Sequence, residues 1–227
     1  MKKSKRFLLK STGLSEESFE IIRFELNMAV LRLRNKFDPV KAAQIRKIKR
    51  TTKDKLNLGA GPFGKPSYVN VDMFPMPNVD LTLDIRRKLP FNDDTFLFIR
   101  IEHCFEHLDS IYDAPKVLNE CYRILKPGGI VRIIVPDIAL YVNAYVNKDW
   151  RFLGNYTHDD AANHLTHVFR QGGEHKFGYD FNALKQILSL HNFHSIIQTS
   201  FGVSRNPEFT DDLPNHQLYS LYVEAMK

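Results

Sequence analysis

Several things are scarce in this chain of 227 residues, and each scarcity excludes something. Only two cysteines are present, Cys104 and Cys121, at no metal-binding or redox spacing. They read as small buried hydrophobes, and no disulfide is expected. No apolar run approaches the ~20 residues that span a bilayer. Met1-Lys2-Lys3-Ser4-Lys5-Arg6 leads into only three apolar-leaning positions rather than a signal core, so the expectation is a cytoplasmic protein. Internal repeats and low-complexity tracts are lacking as well. What remains is 43% hydrophobic and 26% charged, the composition of a soluble chain with one main core and room for an appendage.

The net charge of +6 is unevenly placed. Residues 1–55 hold sixteen Lys/Arg against six Asp/Glu, or +10, and residues 56–227 hold sixteen against twenty, or −4. A basic segment of this kind suits RNA, an anionic membrane surface or an acidic substrate, although a solvated helix face is the commoner explanation.

Along the chain, Ser15 caps an expected helix whose first turn carries Glu16 and Glu17. Apolar residues recur at Phe19, Ile22, Leu26, Ala29 or Val30, Leu33 and Phe37, and a second stripe of Ile21, Phe24, Met28 and Leu31 widens the face. A helix this apolar is expected to pack on something. Asp38-Pro39 starts a shorter basic helix to about Arg50. These two helices make residues 1–54 a lid or brace, with a second unit over 55–227.

From Lys55 short strand-like runs alternate with helical patterns, the signature of a parallel sheet covered on both faces. The strands are expected at Lys55–Leu58, Tyr68–Val71, Leu81–Leu83, Phe96–Ile101, Ile130–Val135, His194–Thr199 and Gln217–Glu224. Helices fit Asp113–Leu125, Ile138–Asn147 and Asn182–Leu190, the first ended by Lys126-Pro127-Gly128-Gly129.

Gly59-Ala60-Gly61-Pro62-Phe63-Gly64 matches the G-x-G-x-x-G pattern of dinucleotide sites. The spacing rejects that reading, because the glycines must open a helix and be followed by a ribose-binding acid about 20 residues on. Here the next strand begins at Tyr68, with Pro66 in between. A parallel crossover normally takes a dozen or more residues, so this link must be a tight loop. What survives is a set of groups at the carboxyl ends of successive strands, where open α/β sheets bind ligands. Gly59 and Gly61 let a ligand approach the backbone, Asp72 can accept both hydroxyls of a ribose, and Asp84 with Ile85 suits an adenine amino group and ring face.

Five stretches in this order resemble class I methyltransferases, and more narrowly their small type 11 branch: Leu56–Gly61, Val69–Asp72, Leu89–Phe96, Glu106-His107-Leu108 and Arg123–Gly129. The resemblance covers roughly residues 55–200, and Leu218–Ala225 looks like the closing antiparallel strand of that fold. It implies a doubly wound α/β fold, a mostly parallel seven-stranded sheet of Rossmann-like methyltransferase type, behind an N-terminal helical extension. It also implies S-adenosyl-L-methionine as cofactor. Asn57, Gly59, Ala60 and Gly61 would line its methionine part, Asp72 with Met73 its ribose, and Asp84 with Ile85 its adenine. Glu102 and His103 would form the wall nearest the sulfonium. Two positions depart from the family pattern. Asn57 stands where an acid usually precedes the first glycine, and Leu97 where an aspartate often follows the phenylalanine of the fourth strand. Asn57 brings no charge to pair with the cofactor's ammonium, which implies weaker binding.

Methyl transfer from a sulfonium needs chiefly that acceptor and methyl group be held together. A hydroxyl acceptor would gain from a general base, and His103, Asp137 and His175 are the candidates. The region 150–180 carries His158, Asp159, Asp160, His164, His167 and Gly172-Gly173, and is expected to close over the acceptor. His175-Lys176-Phe177-Gly178-Tyr179-Asp180 resembles a segment of surface-glycan methyltransferases, which implies a small-molecule or carbohydrate acceptor methylated on oxygen. No complete metal-ligand motif is present: His103/His107 and His164/His167 have helical spacing, and no metal is expected. An RNA methyltransferase gripping phosphates with the basic segment, a cofactor-binding relative without turnover, and peripheral membrane contact through residues 1–37 are the alternatives.

Overall fold

The computed structural model describes residues 11–149 and 161–227. Helix α1 (Glu16–Phe37) starts where Ser15 accepts from Ser18 N–H, and it ends at Asp38, whose N–H reaches Arg34 O at 2.8 Å. Asp38 then caps α2 (Pro39–Lys49) by accepting from Val40 and Lys41 N–H. The strands are β1 (Lys55–Leu58), β2 (Val69–Asp72), β3 (Leu81–Thr82), β4 (Phe96–Glu102), β5 (Leu125–Pro136), β6 (His194–Thr199) and β7 (Ser220–Met226). Between them lie α3 (Ala114–Ile124), α4 (Ile138–Val146), α5 (Ala161–Arg170) and α6 (Phe181–Leu190).

The strands form one seven-stranded sheet in the order β3-β2-β1-β4-β5-β7-β6. Pairs among β1 to β5 are parallel, and β7 runs antiparallel to both β5 and β6. This is the mostly parallel, doubly wound architecture expected, with its order reversing at β1/β4. The closing strand sits later than expected, at Ser220–Met226 rather than Gln217–Glu224.

The link from β1 to β2 contains no helix. Residues 59–68 turn back through Phe63 N–H to Ala60 O and Tyr68 N–H to Lys65 O, both 3.0 Å. Asn70 stitches the loop down, its Oδ1 accepting from Lys65 N–H and its Nδ2 donating to Lys65 O. Side-chain hydrogen bonds thus replace the packing that a crossover helix would provide.

Alternation along the strands gives the sheet two unlike faces. One face carries Leu56, Leu58, Val69, Val71, Ile99, Ile101, Val131 and Ile133, packed with Val117, Leu118 and Cys121 of α3 and Leu184 and Leu188 of α6. Ile45 and Ile48 of α2 join this core. The other face carries Asn57, Asn70, Arg100, Glu102, Arg132 and Glu224, all buried. Residues 200–216 roof it without an α-helix, Phe209 stacking on Phe98 with ring centroids 3.9 Å apart.

Two expectations change. Ile22, Leu26, Val30, Leu33 and Phe37 of the first stripe of α1 are exposed, as is Ile21 of the second, and the helix packs through Met28, which is 2% exposed, and Phe24, which meets Phe74. Polar contacts set that choice: Arg32 and Asn35 reach Asp84 and Thr82 O from the same side of the helix. Residues 161–170, expected within a polar loop, are helical, with Leu165 and Val168 on the inner side. His158, Asp159 and Asp160 lie outside the described residues, as does the side chain of His164.

Candidate active site

The carboxyl end of β1 runs into Gly59 and Gly61, both at positive φ (78° and 51°), which an L side chain rarely adopts. A Cβ on Gly59 would collide with Cys104 Sγ, whereas one on Gly61 would meet nothing within 4 Å. Gly59 is therefore fixed by packing, and Gly61 by the conformation that opens the loop to a ligand. Gly59 and Ala60 N–H both donate to Val71 O. Asp72, at the tip of β2, accepts from Gly61 N–H on Oδ2 and from Phe74 N–H on Oδ1, each at 2.8 Å. One carboxylate thereby sets the glycine loop and the turn carrying Met73.

Gly59, Ala60 and Gly61 line a cavity of about 170 Å³ together with Asn57, Lys65, Glu102, His103, Leu213 and His216. Glu102 at the tip of β4 accepts from Arg100 at 2.7 Å, from Leu213 N–H at 3.0 Å and from His216 Nδ1 at 3.2 Å. Burial opposes its charge, but His216 and Arg100 win, and its carboxyl is pulled down to about 2. It stays ionised throughout the ordinary pH range. His103 sits at φ 48°, strained for a side chain of its size, and shares a 2.8 Å hydrogen bond with Ser220 Oγ. Its ring lies 3.7 Å from that of His216. Burial, and then His216, push its pKa down to about 3, so this histidine is neutral.

Asn57, Gly59, Ala60, Gly61, Glu102 and His103 are thus brought to one cavity, with Asp72 bonded to its loop. Asp84 and Ile85 are engaged elsewhere. Both Asp84 oxygens are held, by Arg32 at 2.7 Å and by Arg86 at 2.9 and 3.2 Å, and Ile85 is 1% exposed within the main core. Asp137 caps α4 by accepting from Ala139 and Leu140 N–H, and burial raises its pKa. Neither Asp137 nor His175 lines the cavity.

Sequence reasoning missed Lys65, Leu213 and His216. Residues 211–216 carry no motif, and only the folding of that loop over the polar face brings it to the site. The helical spacing of His103 and His107 also misleads. Residues 105–107 form a single 3-10 turn, and His107 meets His175 instead, ring centroids 4.9 Å apart. Glu106 lies between these histidines and His103, 2% exposed, its carboxyl pushed up to about 8 by burial.

Residues 70–133 match the family model of the methyltransferase domain. Among curated proteins, a demethylmenaquinone methyltransferase of Lysinibacillus sphaericus is 39% identical over 57 residues, which is 25% of this chain and 23% of that protein. The match therefore spans less than a quarter of that relative's length. Solved structures similar to the chain include an S-adenosylmethionine-dependent methyltransferase from Thermotoga maritima (TM-score 0.47, 18% identity, 90% of this chain and 97% of that one). Another is a methyltransferase of the same dependence from Archaeoglobus fulgidus (TM-score 0.47, 18% identity, 86% and 98%).

Proposed function

We propose, starting from the match of residues 70–133 to a methyltransferase-domain model, that the chain transfers a methyl group from S-adenosyl-L-methionine to an oxygen of a small-molecule or carbohydrate acceptor. The observation that carries this reading is convergence. The Gly59–Gly61 backbone, the Asp72 carboxylate and the Glu102–His103 wall come from the ends of three adjacent parallel strands and meet around one cavity.

The residues present fit the cofactor. Gly61 faces open space beside Asp72, and a carboxylate with lone pairs beyond its two backbone bonds can take two ribose hydroxyls. The cavity of about 170 Å³ is below the ~300 Å³ lower end for small-molecule pockets. It is sized for the methionine half, leaving the adenosyl half to lie along Asp72 toward Asp84. Glu102 supplies fixed negative charge on the sulfonium side, in place of the acid lacking at Asn57. The cofactor supplies the reactive methyl group, and the chain's residues hold it, exclude water and place the acceptor in line.

Oxygen as the receiving atom follows from the segment His175–Asp180, whose resemblance to surface-glycan methyltransferases supports a sugar hydroxyl. RNA is disfavoured by geometry. Arg46, Lys47, Arg50 and Lys53 line a cleft of about 790 Å³ at Val69, the start of β2, opposite the Asp72 end.

Calorimetry with S-adenosylmethionine and S-adenosylhomocysteine tests the site. Loss of two hydroxyl bonds to a charged acceptor costs about 3 kcal/mol, so Asp72→Ala should weaken binding about 100-fold. Equal affinity in the variant removes the ribose assignment and, with it, this function.

A further inference from the structure

We propose that Glu106, His107 and His175 form a binding site for one divalent transition-metal ion, of the class that Zn²⁺ and Co²⁺ represent. One ligand atom from each residue, a carboxylate oxygen and two ring nitrogens, lies within 4.8 Å of the others. Three further observations point to a ligand.

First, Glu106 is buried and neither of its oxygens has a hydrogen-bond partner. His103 Nδ1 stands 3.4 Å from Oε1. A buried, unpartnered carboxyl is costly, and structures keep one where something pairs with it.

Second, each histidine has one ring nitrogen engaged by a backbone carbonyl. His107 Nδ1 meets Glu174 O at 3.2 Å, and His175 Nδ1 meets Val168 O at 2.6 Å. A carbonyl only accepts, so each ring carries its proton on Nδ1 and keeps a lone pair on Nε2. Donation of the other ring N–H to a carbonyl is the usual outer support of a metal-bound imidazole.

Third, the two segments that supply the ligands are tied by their backbones. Glu106 O accepts from Lys176 N–H at 2.8 Å and from Phe177 N–H at 3.3 Å. The histidine from beyond α5 is thus held against the turn after β4 by main-chain bonds rather than by chance side-chain contact.

Two histidines and one glutamate with further positions open is a catalytic type of donor set, and its nitrogens favour zinc or cobalt over magnesium. With bonds of ~2.1 Å the ligand atoms of a tetrahedral ion stand about 3.4 Å apart. The three ligand atoms, now within 4.8 Å of one another, would draw in by up to about 1.4 Å on binding.

The place of the ion rests on this cluster alone. Its use rests on the methyltransferase reading. His103 joins the two sites, lining the cofactor cavity on one side and facing Glu106 on the other. An acceptor hydroxyl on the open position would have its pKa lowered and lose its proton to solvent. Its oxygen lone pair then forms the C–O bond as the C–S bond breaks, and that electron pair stays on sulfur to give S-adenosylhomocysteine. A metal in this role replaces the general base that His103, its Nε2 bonded to Ser220 Oγ, is poorly placed to be.

The test uses the full chain, stripped with chelator and titrated by calorimetry with ZnCl₂, and separately with CoCl₂ while the visible d–d absorption is followed. One equivalent should bind, with the absorption of nitrogen-ligated cobalt. Glu106→Gln and His175→Asn should each weaken binding at least ~100-fold. Both variants should keep the wild-type affinity for S-adenosylhomocysteine, which shows that they are folded. Wild-type protein that binds S-adenosylhomocysteine but neither metal overturns the site and leaves the methyltransferase reading standing. Metal binding without S-adenosylhomocysteine binding keeps the site and removes its link to methyl transfer. Metal binding unaffected by both substitutions places the ion elsewhere and overturns the assignment.

Discussion

Glu102 shows how a single residue serves both stability and the site. Its side chain faces Arg100 on its own strand, and Leu213 N–H and His216 from residues 200–216, with the neutral His103 beside it. Its folded pKa of about 2 lies below the ordinary 4.5, so the native state holds the charged form better than the unfolded chain does. A depressed carboxyl pKa contributes stability that is complete above the unfolded value and vanishes as pH falls through the folded one. Between pH 4.5 and 2 the chain should therefore lose the Glu102 contribution. Melting curves of wild type and Glu102→Gln check this. At pH 7 the variant should be less stable by about 1.5–3 kcal/mol, and the two should converge near pH 2. A gap that persists unchanged at low pH would show that Glu102 is not the titrating group. Of the residues around this cavity, Gly59, Gly61 and Asp72 are legible in the sequence from their place at the ends of strand runs, whereas Asn57, Ala60, Glu102 and His103 come from the family resemblance. His216 is not, since no local pattern tells that its loop folds back 114 residues along the chain to Glu102.

At the scale of an element, α1 is the instructive case. Its limits are readable from Ser15, the acidic first turn and Asp38-Pro39, all of which cap as expected. Its orientation is not, because the apolar stripe that looks like the buried side faces outward, and the packed side includes Arg32 and Asn35. Pattern reading scores arginine and asparagine as solvent-facing, yet here they bond Asp84 and Thr82 O. Two alanine substitutions separate the faces. Met28→Ala should cost about 2 kcal/mol or more, as a truncation in a packed site does, whereas Leu33→Ala should change stability by less than about 0.5 kcal/mol. Equal losses at both positions would mean that α1 packs through the other stripe. Arg32→Ala probes the same helix against the ligand site. It removes the 2.7 Å contact from Asp84 Oδ2, which Arg86 still reaches at 3.2 Å, lowering stability by about 1.5 kcal/mol while opening one side of that oxygen at the end proposed for the adenosyl group. Tighter binding of S-adenosylhomocysteine, with a lower Tm, is the expected pair of changes in calorimetry and thermal melting. Weaker binding would show that the Arg32 contact supports the ligand rather than competing with it.

At the scale of the whole molecule, the strand order follows from segments whose boundaries were mostly readable, because period-two alternation and turn residues mark them. What the local pattern conceals is that the sheet has a charged face. A purely parallel sheet is expected to be apolar on both sides, and here Arg100 and Arg132 are fully buried instead. Their partners come from distant segments. Arg132 holds Asp212 at 2.6 Å and Glu224 at 2.8 Å, and donates to Thr199 Oγ1 and to the carbonyls of Ser200 and Val203. Arg100 holds Asp211 and, at 3.1 Å, Asp212. Lys65 and Tyr68 of the helix-less crossover also reach Asp211. One layer of charge therefore ties β4, β5, β7, the first crossover and residues 200–216 together. That same stretch delivers Leu213 and His216 to the cavity, so the layer couples global stability to the site. Breaking a buried ion pair from one side leaves uncompensated charge and costs about 3–5 kcal/mol. At about 2–4 °C per kcal/mol for a chain of this size, Arg132→Met should lower Tm by about 10 °C. Removing the charges together, with Arg132→Met, Glu224→Leu and Asp212→Asn, should restore much of that loss, because well-packed apolar groups can replace a buried ionic cluster. A core truncation of similar cost on the opposite face, Val117→Ala, serves as the reference. Arg132→Met should weaken S-adenosylhomocysteine binding more than Val117→Ala does, since only the former loosens the segment that carries His216. If the two variants bind the ligand equally well at matched stability, residues 200–216 hold their place without Arg132, and the charged layer is structural alone.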